Sequence, residues 1–368
     1  MPAKLTPMMQ QYMQVKEQYP DCILMYRLGD FYEMFFEDAL TASKELEIVL
    51  TGRDCGLAER APMCGVPFHA VEMYVNRLIS KGYKVAICEQ MTDPKESKGL
   101  VERDVIRVIT PGTVIEESML SERENNYLAA LYLSETDLGM AYCDVSTGGF
   151  YVLELHGSNW AGELMDELAR IQPTELVAND ALFLQELLVK RLQSSYYLQC
   201  LGSDAFDESL AGSRMLRHFQ KANLKELGCD GITCGISAAG ALLSYLEDTQ
   251  KNALTHIRNV RVVSPGKYMR IDAASRRNLE LTTPLRADGS KKHTLLYLLD
   301  QTATAMGGRK LRAWIEQPLQ NIAIINSRLD AVEALYSHPV ERDALGKALS
   351  SVYDIERLCS RIAYGSVN

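Results

Sequence analysis

The stretch from Cys22 to Phe36 constrains the fold more than any other part of the chain. Cys22-Ile23-Leu24-Met25-Tyr26 is a short apolar run of the kind that forms a buried strand, and Gly29-Asp30 breaks it with a turn signal. Aromatic residues then crowd together at Phe31, Tyr32, Phe35 and Phe36, with Glu33 among them. If a helix starts here, Asp30 is its N-cap and Glu33, three residues on, completes an Asp-x-x-Glu capping box. The four aromatics would then cover an arc of roughly 140° and serve as core. In a regular helix, however, Phe31 and Glu33 point about 200° apart, whereas in extended backbone they share a face. The backbone state of three residues thus decides between a cap with a core behind it and a paired surface.

At 368 residues the chain is long enough for two or three domains, and 47% hydrophobic with 24% charged residues is an ordinary globular balance. It has no apolar run long enough for a membrane span, and Met1-Pro2-Ala3-Lys4 leads into a polar helix rather than a signal sequence. Nine cysteines, an odd and scattered set, fit free thiols in a reducing cytoplasm. The one close pair, Cys229 and Cys234, has neither a second pair nor a nearby His, so no zinc site is expected. Net charge is −9, with −5 in residues 1–120, −11 in 121–250 and +7 in 251–368. The acidic middle is a poor place for phosphates. The basic last third suits nucleic acid or a solvated surface.

A first helix is expected from Thr6 as N-cap, with Pro7 at N1, to just before Pro20. After the aromatic segment comes a Gly/Pro-punctuated loop over 51–67, then an amphipathic helix over 70–80 ended at Gly82, and strands at 84–88 and 105–110. The acidic patch 116–124 reads as a linker. Strands are expected at 127–133, 140–145 and 150–155, with a turn at 135–139, and helices at 160–170, 180–193 and 236–250. Strand-like runs over 258–273 precede a basic loop, Arg286 to His293, and helices at 294–302, 307–317, 325–337 and 341–363. The last five residues follow without a closing element, so the third domain reads as cut short.

Gly29-Asp30-Phe31-Tyr32-Glu33-Met34-Phe35 resembles the mismatch-sensing motif of the bacterial MutS family, whose hallmark is Phe-x-Glu, here Phe31 and Glu33. The similarity continues through Pro62-Met63-Cys64-Gly65-Val66-Pro67-Phe68-His69-Ala70, Val85-Ala86-Ile87-Cys88-Glu89-Gln90 and Val108-Ile109-Thr110-Pro111-Gly112-Thr113. Arg276-Arg277-Asn278-Leu279-Glu280 and Met306 to Trp314 are similar to the family's core domain. The resemblance implies a mixed α/β, multidomain chain: a mismatch-binding domain at 1–117, a ribonuclease-H-like α/β connector at 125–252, and the beginning of a mostly helical core or lever domain at 258–368.

It also implies a non-catalytic DNA-binding segment that meets mismatched or small-loop double-stranded DNA, with Phe31 in the minor groove and Glu33 on the mispaired base. The pair should then lie at a non-helical entrance, with the helix beginning near Glu33. Leu28 and Gly29 flank the pair as further candidates. His69 could be a base, ligand or phosphate contact, or a cap; Lys95, Lys98 and Arg107 are backbone-contact candidates or plain surface charge. Family members are homodimers that recruit a MutL-type partner, work in the bacterial cytoplasm and on the nucleoid, and carry a C-terminal ATPase using ATP and Mg. No Gly-x4-Gly-Lys-[Ser/Thr] occurs here, and Gly307-Gly308-Arg309-Lys310 lacks the spacing and hydroxyl of a phosphate-cradling loop, so no cofactor is expected in this segment. Two rivals are a partner-docking fragment without DNA binding and a metal-dependent nuclease. Asp144 occupies a strand position resembling the first metal-binding carboxylate of ribonuclease-H-type enzymes, though Glu175, Asp180 and Asp204 form no recognisable set around it.

Overall fold

The computed structural model describes residues 5–92, 101–251, 254–285 and 291–365. The chain forms two compact units, one of residues 1–119 with 245–254 and the other of 120–244 with 255–368. No helix among the described residues is long and apolar enough to cross a membrane.

The first unit opens with α1 (Pro7–Gln18), where Pro7 takes the first helical turn and the chain leaves before Pro20. It continues through β1 (Cys22–Leu28), β2 (Phe31–Phe35), α2 (Phe36–Leu46), β3 (Thr51–Arg53), β4 (Ala61–Pro67), α3 (Val71–Ile79), β5 (Lys84–Gln90) and β6 (Arg103–Ile109). The strands form one sheet in the order β3-β4-β2-β1-β5-β6, in which β1 and β5 are parallel and the other pairs antiparallel. Met9, Tyr12 and Val15 of α1 cover one face, packing on Leu24, Tyr26, Phe35, Ala86, Cys88, Val105 and Val108. On the other face Ile23, Met25, Met34 and Val66 are buried, and the Cys64 thiol reaches Ala39 O of α2 at 3.5 Å. Asp38 of α2 ties this layer to α1: it accepts from Tyr12 Oη at 3.2 Å and Leu24 N at 3.0 Å and pairs with Lys16 at 2.8 Å. Burial, and then the Asp38 charge, push the Tyr12 phenol well up, so it stays a neutral donor.

The expected loop over 51–67 is corrected: it holds β3 and β4, and β4 is the direct neighbour of β2. Pro62 and Pro67 disguise β4, because proline lacks the N–H that a strand interior uses; here they sit near its two ends.

The second unit runs through β7 (Leu128–Leu133), β8 (Leu138–Asp144), β9 (Gly149–Leu155), α4 (Trp160–Ile171), β10 (Glu175–Ala178), α5 (Asp180–Phe183), α6 (Glu186–Gln193), β11 (Tyr197–Cys200) and α7 (Glu208–Phe219). After α8 (Cys234–Gln250), whose last turns belong to the first unit, come β12 (Val260–Val262), α9 (Ala273–Asn278), α10 (Leu295–Leu299), α11 (Ala305–Glu316), α12 (Ile322–Ser337), α13 (Pro339–Leu349) and α14 (Ile355–Ala363). Its sheet has the order β11-β10-β7-β8-β9-β12: an antiparallel meander, β7 to β9, with parallel neighbours on both sides. The chain is thus mixed α/β and multidomain, ending in helices. β12, read from the sequence with the third region, joins the middle region's sheet by pairing with β9, and the expected helix over 180–193 divides into α5 and α6.

Residues 120–124, read as part of a solvated acidic linker, are held by arginines of the helical region. Arg309 donates to Glu122 O at 2.9 Å and Arg357 to Glu124 O at 2.8 Å, while Arg312 lies 3.5 Å from the Glu124 carboxylate. Arg309 also forks onto Asp354 at 2.7 and 2.8 Å and reaches Glu356 at 2.7 Å. Part of the positive charge of the last third therefore serves internal acids and carbonyls rather than phosphates.

Candidate nucleic-acid interface

Phe31 and Glu33 lie in a strand. β1 and β2 form a hairpin closed by Gly29-Asp30, with Leu28 opposite Phe31 and Tyr26 opposite Glu33. Gly29 has φ +58, the conformation that a two-residue turn of type II′ asks of its first residue and that glycine adopts without a Cβ clash. The expected helix start near Glu33 is corrected to Phe36, and neither Asp30 nor Glu33 caps it: the N-cap is Phe35, with no side-chain capping bond. Phe36 enters the helix at φ +52, an unusual conformation for a bulky residue, held between a buried Phe35 and the packed α2.

The extended backbone puts Phe31, Glu33 and Phe35 on one face, and within five residues that face passes from core to solvent. Phe35 is fully buried, its ring edge-on to Tyr12 at 5.0 Å, whereas Phe31 is 48% exposed. Glu33, between them, is mostly covered and pairs through Oε2 with Arg53 of β3. Gly65 of β4 stands opposite Glu33, and a Cβ there would sit 3.5 Å from Glu33 Cγ.

The opposite face braces the hairpin from behind. Tyr32 is buried and donates to the Glu89 carboxylate, with Arg27 3.7 Å from the same carboxylate. The Arg27 guanidinium lies 4.0 Å from the Phe68 ring centre and its Nε donates to Gly29 O at 2.5 Å. Arg103 of β6 donates to Arg27 O at 2.9 Å and, on the Glu33 face, covers the Tyr26 ring at 5.1 Å. Burial, and then the hydrogen bond from Tyr32 to Glu89, push the Tyr32 phenol up; burial likewise pushes Tyr26 up to about 12 against the opposing pull of Arg103. Both phenols are locked as neutral donors, Tyr32 behind the hairpin and Tyr26 on the α1 face, where it donates to Gln11 Oε1 at 2.6 Å, so hydrogen bonds hold the hairpin on both faces.

Leu28 is half-buried against the α1 face, and Gly29 is exposed at the turn. His69 is exposed in a short 3₁₀ turn (Phe68–Ala70), edge-on to Phe68 at 5.9 Å. Phe68 N donates to Asp30 O at 3.0 Å, so this turn is anchored to the hairpin tip. Arg107 pairs with Glu116 at 2.6 Å and donates to Thr113 O at 2.9 Å, which braces the loop after β6. Lys95 and Lys98 lie outside the described residues. Sequence reasoning misses Arg53, because 51–67 reads as a loop.

Asp144, the nuclease candidate, is wholly buried, and both of its carboxylate oxygens are engaged. Oδ1 accepts from Ser146 N at 2.9 Å and Ser146 Oγ at 2.7 Å; Oδ2 accepts from Asn125 Nδ2 at 2.6 Å and Asn126 N at 3.3 Å. Among the described residues no group of three His, Cys, Asp or Glu side chains could hold a metal ion.

Comparison with known proteins covers the whole chain. Residues 6–118 match the family model of MutS domain I, 126–258 that of MutS domain II, and 274–368 that of MutS domain III. The chain is 50% identical over 366 residues to the DNA mismatch repair protein MutS of Ruminiclostridium cellulolyticum and 50% identical over 368 residues to that of Acetivibrio thermocellus. It is 46% identical over 365 residues to the protein of the same name from Clostridioides difficile. These alignments take in 99%, 100% and 99% of this chain but 42%, 42% and 38% of the relatives, so it spans less than half of their length. With Phe-x-Glu at an exposed hairpin tip of the region that matches domain I, and with its other two regions matching domains II and III in order, the chain belongs to the MutS family.

Proposed function

We propose that this chain is the DNA-sensing portion of a mismatch repair protein, and that the β1–β2 hairpin tip does the sensing. The observation that carries the reading is Phe31 beside Glu33 on one face: a large apolar ring left half in water next to a carboxylate with one oxygen unpartnered among the described residues. Phe31 enters the minor groove and wedges beside a base, unstacking it and kinking the duplex, which costs a few kcal/mol per step. A mismatched or bulged site is already poorly stacked and easily bent, so the cost there is smaller. Discrimination is then chiefly a difference in deformation energy.

Glu33 supplies the second criterion. Its free oxygen accepts an imino N–H of a mispaired base, or in the protonated form donates to a purine nitrogen; in a Watson–Crick pair the imino N–H is engaged with the partner base. Taken from the sequence alone, Glu33 is an uncompensated charge repelled by phosphates, whereas here Arg53 offsets that charge. His69 and Gly29, exposed beside the tip, are the backbone contacts consistent with this docking, and Leu28 backs the wedge from within.

Dimerisation, ATP and Mg use, and recruitment of a MutL-type partner belong in this reading to the part of the relatives that this chain does not span. The 368-residue chain alone should bind DNA weakly, given its charge of −9, and hydrolyse no ATP. The test is anisotropy with matched and single-mismatch duplexes at low salt, comparing the parent with Phe31→Ala. Loss of mismatch preference with the fold intact supports the reading; unchanged preference rejects it, and ATP turnover by the purified chain rejects the domain assignment.

A further inference from the structure

Resting on the reading of Glu33 as the base-contacting acid, we propose that Arg53 is a positioning residue for mismatch recognition: it clamps one carboxylate oxygen of Glu33 and leaves the other for the base. Arg53 and Glu33 come from β3 and β2, with β4 between them; Arg53 stands opposite Ala61 and Glu33 opposite Gly65 of that strand, and the two side chains meet across it. Oε2 takes the guanidinium, and no other partner of the carboxylate is found among the described residues. Arg53 keeps 38% of its side chain exposed against 16% for Glu33, so the arginine forms the outer wall of the pair and the acid the inner.

Two physical consequences follow from this geometry. A glutamate free to rotate loses rotamer entropy when it is fixed on a ligand, and one already pinned by a guanidinium has lost most of it beforehand. A paired carboxylate also approaches phosphates without the full repulsion of an isolated charge. Arg53 therefore acts through Glu33 and not by itself reading the base.

The test is a double-mutant cycle on the mismatch-to-match affinity ratio, measured by anisotropy with the 368-residue chain at two salt concentrations. Arg53→Gln should lower the ratio about fivefold, the factor that one hydrogen bond of ordinary net strength is worth. In a Glu33→Ala background the same substitution should leave the ratio unchanged within about twofold, because the residue it positions is gone. Arg53→Lys, which keeps the charge but loses the fork, should recover part of the ratio. A fall in both affinities by the same factor, persisting without Glu33 and shrinking at high salt, would make Arg53 an independent phosphate contact and overturn the proposal while sparing Glu33. A higher ratio in Arg53→Gln would make the arginine a competitor for the acid and likewise overturn the proposal. If Glu33→Ala alone leaves the ratio untouched, the underlying reading of Glu33 fails first, and the positioning role with it. Melting curves of each variant separate these outcomes from misfolding.

Discussion

Glu33 and Asp144 are both carboxylates on strands, a few residues from a turn, and the structure uses them in opposite ways. Asp144 accepts four hydrogen bonds from Ser146, Asn125 and Asn126 and has no contact with solvent. Glu33 gives one oxygen to Arg53 and lies next to an aromatic ring that the core does not take in. The contrast extends to the arginines. Arg309, almost fully covered, closes on Asp354, Glu356 and a carbonyl, whereas Arg53 leaves more than a third of its side chain in water. Residue type therefore does not separate scaffold from proposed interface here; unengaged hydrogen-bonding capacity beside exposed apolar surface does.

The largest effect expected on the scaffold side is at Arg309. Arg309→Leu removes one partner of a buried ion pair and should destabilise the second unit by about 3–5 kcal/mol, read from urea denaturation. The same pair predicts a pH dependence. Burial by itself would raise the Asp354 carboxyl, but its hydrogen bonds and proximity to Arg309 outweigh this and hold it below the usual carboxylate range. A group depressed in the folded state contributes stability above its unfolded value, near 4, and loses that contribution as pH falls through the folded one. The parent should lose stability more steeply than Arg309→Leu as pH falls below about 4. Equal acid sensitivity would mean the pair is not what holds α11 to α14.

Asp144→Ala comes next, at about 3 kcal/mol, because it strands several buried donors at once. It should melt the second unit early without touching any metal-dependent activity. Cleavage of nucleic acid by the parent with divalent metal, abolished in a stably folded Asp144→Asn, would move Asp144 from scaffold to active site.

Much of this contrast is legible in the sequence and some is not. The apolar run, Gly29-Asp30 and the shared-face condition on Phe31 and Glu33 are all readable. The strand state is harder, since Asp30 and Glu33 imitate a capping box whose helix in fact starts at Phe36. Its decisive cause is tertiary: β2 is paired on both edges, by β1 and by β4. With β4 masked by its prolines, nothing local places Arg53 beside Glu33. Long-range pairing carries no local signal of that kind. By contrast α7 is absent from the expected elements despite having one, because Asp207 caps it by accepting from Leu210 N at 3.0 Å, and Asp before a helical run is a readable start. The arginines of the last third read as a basic surface, and only their packing shows that several are internal.

On the interface side, effects on stability should be small and effects on discrimination large. Glu33→Ala should lower the mismatch-to-match ratio by roughly tenfold to a hundredfold, the range set by the 1.5–3 kcal/mol that a charge-assisted hydrogen bond contributes. Part of that fall should come from tighter matched-duplex binding, because removing the acid leaves the Arg53 charge uncompensated near phosphates; the tightening should vanish at high salt. Matched-duplex affinity that is unchanged or lower would rule out this electrostatic effect.

The smallest expected change in stability, at Phe31, accompanies the most direct measurement of the central claim. Phe31→Ala should cost about 1 kcal/mol or less in denaturant unfolding, well under the 3–5 kcal/mol of a buried phenylalanine. In the same preparation, anisotropy with otherwise identical matched and mismatched duplexes should show the two affinities converging. A large loss of stability with mismatch preference retained would place Phe31 in the core and contradict the claim that the β1–β2 hairpin tip senses the mismatch.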